Sequence, residues 1–253
     1  MKKIAIVTGA SSGMGREFVL QIAQMYPSLE EIWVIARRKE RLEDLKKEVS
    51  TTKIRSFALD FKKKESFEEL KQVLCKEEPK VCIIVNGSGF GISGNLEHLE
   101  MEEISGMISL NCTALTLLTK LAIPYMGKGG YIYQFASAAA FAPQAGFSVY
   151  AATKAYVLSF SRALGQELRS RGIHVTAICP GPVKTEFFDI AYQREEVKFY
   201  KKLVLADPKK VVKKALRDGR KKKPVSVYGP VMKILTVFCK ILPTGWIVRV
   251  TGK

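Results

Sequence analysis

Ile4-Ala5-Ile6-Val7-Thr8 runs straight into Gly9-Ala10-Ser11-Ser12-Gly13-Met14-Gly15, and an amphipathic stretch over residues 13–25 follows. A short apolar run, a glycine-rich turn and a helix make a strand–turn–helix unit. The three glycines permit a tight turn and a close backbone approach to a pyrophosphate, and the helix N-terminus offers free N–H groups and the positive end of its dipole. The spacing is G-x-x-x-G-x-G rather than the commoner G-x-G-x-x-G. Tight strand–helix packing alone would also favour glycine here, but the position after the first strand favours a nucleotide.

The same alternation continues outward. Short apolar runs at residues 31–36, 54–59, 81–85, 131–136 and 173–179 read as strands. Longer amphipathic stretches at 39–49, 65–76, 102–125 and 148–170 read as helices. The strands are continuously apolar rather than alternating, which suits strands buried on both faces of a parallel sheet. The expected fold is therefore α/β: a Rossmann-like, doubly wound parallel sheet in a single domain. Its core spans about residues 3–185, and a C-terminal extension runs over about 186–253.

Composition sets the bounds. The chain has 253 residues, 47% hydrophobic and 26% charged, enough for one sizeable core. Five scattered cysteines fit a reducing compartment better than a disulfide framework, and two distant histidines give no metal site. The apolar run after Met1-Lys2-Lys3 is too short for a signal peptide, so a cytoplasmic location is expected. The net charge is +17, and residues 198–223 carry twelve Lys/Arg against Asp207 and Asp218. A solvated helix face, an anionic substrate, an acidic partner or a membrane surface would each account for that run. Nucleic acid is not expected, because the run has neither interleaved aromatics nor a known binding motif.

Ligands in such folds bind beyond the carboxyl ends of the strands, so the residues there carry the chemistry. After the second strand stands Ala36-Arg37-Arg38-Lys39, where a site for NAD usually has a carboxylate for the ribose 2′-hydroxyl. Cations there suit a 2′-phosphate, so NADP(H) is expected, with Arg37 the main contact and Arg38 supporting it. Tyr150 and Lys154 lie four apart on one helix face. A phenol with an ordinary pKa near 10 is too weak an acid for neutral pH, and a nearby ammonium lowers it. Ser137 follows the strand at 131–136, where its hydroxyl can hold a substrate oxygen beside the phenol.

Together these residues resemble the short-chain dehydrogenase/reductase family over about residues 3–190. The matching motifs are residues 8–15, Asn86-Gly87-Ser88-Gly89, Asn111, Ser137, Tyr150-x-x-x-Lys154 and Pro180-Gly181-Pro182-Val183-Lys184-Thr185. The resemblance implies that Tyr150 exchanges a proton with the substrate oxygen. It implies that Lys154 binds the nicotinamide ribose and lowers the tyrosine pKa, that Ser137 orients the carbonyl and that Asn111 holds a relay water behind Lys154. Gly9, Ser11, Ser12, Gly13, Met14 and Gly15 would hold the phosphates. Asp60 and Phe61 would meet the adenine, Asn86 and Gly87 the adenosine ribose, and Pro180, Gly181, Val183 and Thr185 the nicotinamide end. The one departure is Asn86-Gly87-Ser88-Gly89 where the family has Asn-Asn-Ala-Gly. The resemblance also implies a homodimer or homotetramer.

The resemblance also implies that the extension after Thr185 covers the substrate. Phe187, Phe188, Tyr192, Phe199 and Tyr200 follow Thr185, and Phe90, Gly91, Ile92, Phe141, Ala142 and Phe147 sit in other loops of the same edge. Apolar aromatics there point to a bulky apolar substrate such as a steroid, although plain helix packing would use the same residues. The basic surplus would suit a carboxylated one such as a bile acid. A 3-oxoacyl thioester is the alternative substrate, and a non-catalytic NADP sensor is the third reading. The apolar tail over residues 231–250 is interrupted by Lys233, Lys240, Pro243 and Arg249, which argues against a spanning helix. Packing on a subunit or on the substrate pocket is expected ahead of peripheral membrane contact.

Overall fold

The computed structural model describes residues 1–192 and 205–251. Phe199 and Tyr200, and the part of the basic run before residue 205, lie outside the described residues.

Seven parallel strands form one sheet in the order β3-β2-β1-β4-β5-β6-β7. They are β1 (Lys3–Thr8), β2 (Glu31–Ala36), β3 (Lys53–Ala58), β4 (Lys80–Asn86), β5 (Met126–Phe135), β6 (His174–Ile178) and β7 (Val225–Ser226). The apolar runs are continuous because each strand feeds two cores. Ala5 and Val7 of β1 join Phe18, Val19 and Ile22 of α1 (Gly13–Met25) on one face. Ile4 and Ile6 join Leu70 and Leu74 of α3 (Lys64–Glu77) on the other. In β2, Val34 faces the first core and Trp33 the second, and all six residues of the strand are buried. The helix α2 (Lys39–Glu48) closes the β2–β3 crossover.

The order of connection reverses between β1 and β4, so the loops leaving these neighbours diverge and open a crevice at their carboxyl ends. Two local features depart from the sequence reading. The helix expected over 102–125 is α4 (Met101–Ile108) and α5 (Leu115–Ala122) joined by a π-helical stretch, Ser109–Ala114. A π turn inserts an extra residue, and here it carries Asn111 into the interior, 0% exposed. β7 was not foreseeable: two residues are too few for any periodicity, and they exist as a strand only through pairing with Ala177 and Ile178.

The long helix α6 (Ser148–Glu167) packs against β5 and β6. Beyond β6 come α7 (Glu186–Ala191), α8 (Pro208–Arg220), α9 (Pro230–Ile241) and α10 (Thr244–Thr251). Asp207 caps α8 by accepting from the Lys209 N–H at 2.8 Å. The α8 residues Val212, Ala215 and Leu216 complete the first core.

Candidate active site

Backbone packing at the crevice explains the glycines. Gly9 has φ +67°, and a Cβ there would stand 2.6 Å from the Gly87 carbonyl group. A Cβ on Gly15 would overlap the Gly9 carbonyl oxygen, and one on Gly87 would lie 2.7 Å from the Thr8 carbonyl oxygen. The departure at Gly87 therefore has a structural role: it lets the β4 loop close directly on the β1 loop. Thr8, the last residue of β1, ties the two together. Its buried Oγ1 accepts from the N–H groups of Gly87 at 3.1 Å and Ser88 at 3.2 Å. The available signal was a hydroxyl residue at the exit of a central strand.

The crevice continues into a cavity of about 970 Å³, near the upper end of the roughly 300–1,000 Å³ usual for small-molecule sites. Gly9, Ser11, Ser12, Gly13, Met14 and Gly15 line one end. No side chain caps the first turn of α1 and no carboxylate lies in it, so its N–H groups are free to meet a phosphate. The donor set fits a dinucleotide.

The two arginines expected at a 2′-phosphate both border the cavity but face differently. Arg38 reaches back over the glycine turn. Its guanidinium donates to Ser11 Oγ at 3.0 Å and Ser12 Oγ at 2.8 Å. Arg37 is exposed at the cavity edge. Successive residues leaving a strand point to opposite sides, and only the second of the pair points at the turn. Arg38 also donates to Glu186 Oε2 at 2.8 Å, and Arg41, which no motif marks, pairs with the other oxygen of the same carboxylate. These two cations hold the Glu186 carboxyl at about 2.

One further expectation needs correction. Asn86 does not line the cavity. Its Nδ2 donates to Thr119 Oγ1 at 2.8 Å and Gln134 Oε1 at 2.9 Å, inside the sheet. Phe61 borders the cavity but is buried, with its ring centroid 5.0 Å from that of Phe67. Asp60 remains at the cavity edge, where its Oδ1 accepts from the Lys62 N–H at 3.0 Å.

At the other end, Ser137, Tyr150 and Lys154 share one wall with Pro180, Gly181, Val183 and Thr185. The strand β5 delivers Ser137, the first turn of α6 delivers Tyr150, and the next turn delivers Lys154. Lys154 Nζ donates to the Phe135 carbonyl oxygen at 2.7 Å and stands 5.5 Å from the Tyr150 ring centroid. Burial pushes the phenol of Tyr150 up, and the neighbouring Ser137 hydroxyl opposes that shift. Burial also pulls the Lys154 ammonium down to about 8. Burial rather than Lys154 therefore sets the direction at Tyr150, with the ammonium standing over the ring face.

Asn111 acts on the backbone. Its Oδ1 accepts from the Phe90 N–H at 3.0 Å, and its Nδ2 donates to the Phe90 carbonyl oxygen at 2.9 Å and to Thr153 Oγ1 at 3.0 Å. Both amide hydrogens are used, so only the second lone pair of Oδ1 is left for the relay water implied above. In this geometry Asn111 clamps the β4 loop to α6.

Aromatic rings surround the tyrosine. Phe147 stacks on it at 4.3 Å between centroids, and Phe187 lies at 5.5 Å. Phe188 packs on Tyr192 at 5.0 Å. Phe90, Phe147, Phe187, Phe188 and Tyr192 all line the cavity. Gly91 and Ile92 do not; Gly91 lies under the Tyr150 ring, where a Cβ would stand 2.5 Å from its Cδ2. Phe141 packs instead in the cluster of Leu158 and Ala177, and with Ala142 it is absent from the cavity wall. On α9, Met232 closes on the Pro180-Gly181 turn, its Sδ 2.6 Å from where a Gly181 Cβ would be.

The short chain dehydrogenase family profile matches residues 3–196. The chain belongs to the short-chain dehydrogenase family and is an oxidoreductase of that family. An uncharacterized oxidoreductase from Myxococcus xanthus is 31% identical over 188 residues, covering 73% of each chain. A short-chain dehydrogenase from Sphingobium yanoikuyae in complex with NADPH superposes with TM-score 0.78 at 28% identity, covering 89% of this chain and 87% of that one. The bulky-bulky ketone specific alcohol dehydrogenase from Comamonas testosteroni gives 0.74 at 25% identity, covering 95% and 94%.

Proposed function

We propose that this short-chain dehydrogenase uses NADP(H) to interconvert a carbonyl and a secondary alcohol on a bulky apolar substrate. One observation carries the reading: Ser137, Tyr150 and Lys154 share a single cavity with the glycine turn and with Arg38. Residues 9–15 hold the phosphates in this reading, Arg38 and Arg41 hold the 2′-phosphate, and Thr185 and Val183 hold the nicotinamide end. The bound nicotinamide supplies or accepts the hydride.

The rest falls to the chain. Ser137 Oγ orients the substrate oxygen, and Tyr150 Oη gives it a proton in reduction or takes one in oxidation. Desolvation keeps Tyr150 protonated, which suits it to act as an acid toward an incoming carbonyl. The aromatic wall of Phe90, Phe147, Phe187 and Phe188 excludes water and accepts a large apolar body. The NADPH complex of the Sphingobium relative and the bulky-ketone specificity of the Comamonas enzyme support the cofactor and substrate readings.

The test is NADPH oxidation against a panel of ketosteroids, bulky aryl ketones and 3-oxoacyl thioesters. Tyr150→Phe should lower turnover by roughly 10²–10⁴ with NADPH binding, read by fluorescence, unchanged. Wild-type turnover by that variant would end the assignment. Preference for the thioesters would replace the ketone reading. Arg38→Asp should weaken NADPH and spare NADH, and equal effects on both would remove the NADP preference.

A further inference from the structure

Eight of the fifteen exposed large apolar side chains among the described residues fall within residues 231–246. On α9 they form one stripe: Val231, Ile234, Leu235, Phe238 and Ile241 repeat at three- and four-residue spacing and are 47–73% exposed. The opposite side of the helix faces inward, with Met232 against the Gly181 turn and Thr236 buried. An amphipathic surface helix normally buries its apolar stripe; here the stripe is outside. Leu242 and Trp246, 43% and 68% exposed, extend it into α10.

Charge decides what covers it. From residue 219 to the C-terminus the sequence has eight Lys/Arg, at 220–223, 233, 240, 249 and 253, and no Asp or Glu. Lys233 and Arg249 are exposed on the same two helices. A second copy docked symmetrically through this face would bring these cations together with no carboxylate of the segment to oppose them. An anionic lipid surface would take the apolar stripe and neutralise the cations at once. The twelve-residue helix α9, about 18 Å long, is too short to cross a hydrocarbon core of about 30 Å, so it would lie in the interface. Trp246 is suited to that depth.

We infer that α9 and α10 form a peripheral docking surface for anionic membranes. The surface is continuous with the candidate active site. Val231 and Leu235 are exposed and also line the cavity, so its rim opens beside the docking face.

The test is sedimentation of the full chain with phosphatidylcholine vesicles, with and without phosphatidylglycerol. Binding should rise roughly tenfold or more with the anionic lipid and fall with salt. The chain has two tryptophans, Trp33 fully buried and Trp246 exposed. A brominated lipid should therefore quench only the exposed one in the wild-type protein, a readout that needs no variant. Phe238→Asp with Ile241→Asp, both outside the cavity, should lose binding by a similar factor and keep the wild-type melting temperature. Absence of binding and quenching would overturn the inference. So would a wild-type dimer that the double variant splits, with no vesicle binding by either. Tyr150→Phe should bind vesicles as the wild type does, which separates this inference from the hydride-transfer reading.

Discussion

Gly91 shows how much at this site depends on single atoms. Its Cα lies under the Tyr150 ring, and a methyl group there meets Cδ2 and Cγ at 2.5 and 2.9 Å, with Phe147 at 3.0 Å. Phe147 stacks on the ring at 4.3 Å between centroids, so the ring cannot yield freely. Gly91→Ala should cost about 1–3 kcal/mol of stability, and it should lower kcat more than it changes the Kd for NADPH, because it moves the proposed acid Tyr150 and not the glycine turn. Steady-state kinetics beside NADPH titration would check this. Glu186 is the second residue whose effect can be stated with a sign. Its carboxylate neutralises Arg38 and Arg41, so it competes with any 2′-phosphate for them. All three side chains are more than a third exposed, and such pairs contribute about 0.2–1 kcal/mol each. Glu186→Gln should tighten NADPH roughly two- to fivefold and leave NADH unchanged. Weaker NADPH binding would mean that Glu186 positions the arginines instead. Legibility at this scale followed chemistry. That Ser137, Tyr150 and Lys154 line one cavity could be read because each is tied to a strand end or a helical repeat. The choice between Arg37 and Arg38, and the inward turn of Asn86, could not, because both depend on which way a side chain leaves the backbone.

At the scale of elements, the π-helical stretch between α4 and α5 is the feature that sequence periodicity hides. Residues 102–125 read as one amphipathic helix because the apolar spacing on either side of the insertion is that of an ordinary helix. The insertion turns Asn111 inward, where it satisfies both backbone groups of Phe90 and also Thr153. Asn111→Leu keeps the volume and removes the partners. It should destabilise the protein by about 1–3 kcal/mol for each buried group left unpaired, read as a lower denaturation midpoint. It should also weaken NADPH binding, since the β4 loop then loses its tie to α6. A stability matching the wild type would show that the loop finds other partners. The α9 helix teaches the converse. Its apolar spacing was legible, but whether the stripe faces the core or the solvent was not, because that depends on which side meets the Gly181 turn.

At the scale of the whole molecule, the two ends of the sheet do different work. The carboxyl ends carry the candidate site. The amino ends carry a charge cluster around the buried Glu31, which is 3% exposed and bonds the more exposed Lys53 at 2.9 Å and Lys2 at 3.2 Å, and Trp33 Nε1 at 3.0 Å. Burial raises this carboxyl, but the bonds from Lys53, Trp33 and Lys2 overcome it and hold it at about 2. A carboxyl held lower in the folded state than in the unfolded one stabilises above its unfolded pKa, roughly 4.3. That contribution is lost as pH falls from there to about 2. Stability should therefore drop across that window, by up to the order of 3 kcal/mol from this group. Glu31→Gln should be less stable at pH 7 and show a flatter acid limb, with unaltered NADPH affinity. Urea midpoints across pH would show it, and an acid limb as steep as that of the wild type would place the sensitivity elsewhere.

The sequence by itself determined the layering, the parallel sheet and the identity of the candidate reacting side chains. Apolar periodicity and glycine placement are local properties, and a hydroxyl, a phenol and an amine carry their chemistry wherever they lie. Tertiary structure decided which of those groups face one another. It brought Gly87 onto Thr8 and Gly9, turned Arg38 rather than Arg37 over the glycine turn, spent Asn86 inside the sheet and left the α9 stripe outside. Each of these depends on directions and distances between segments far apart in the chain. The glycine turn with which the sequence begins thus owes its shape partly to Gly87, some eighty residues further on.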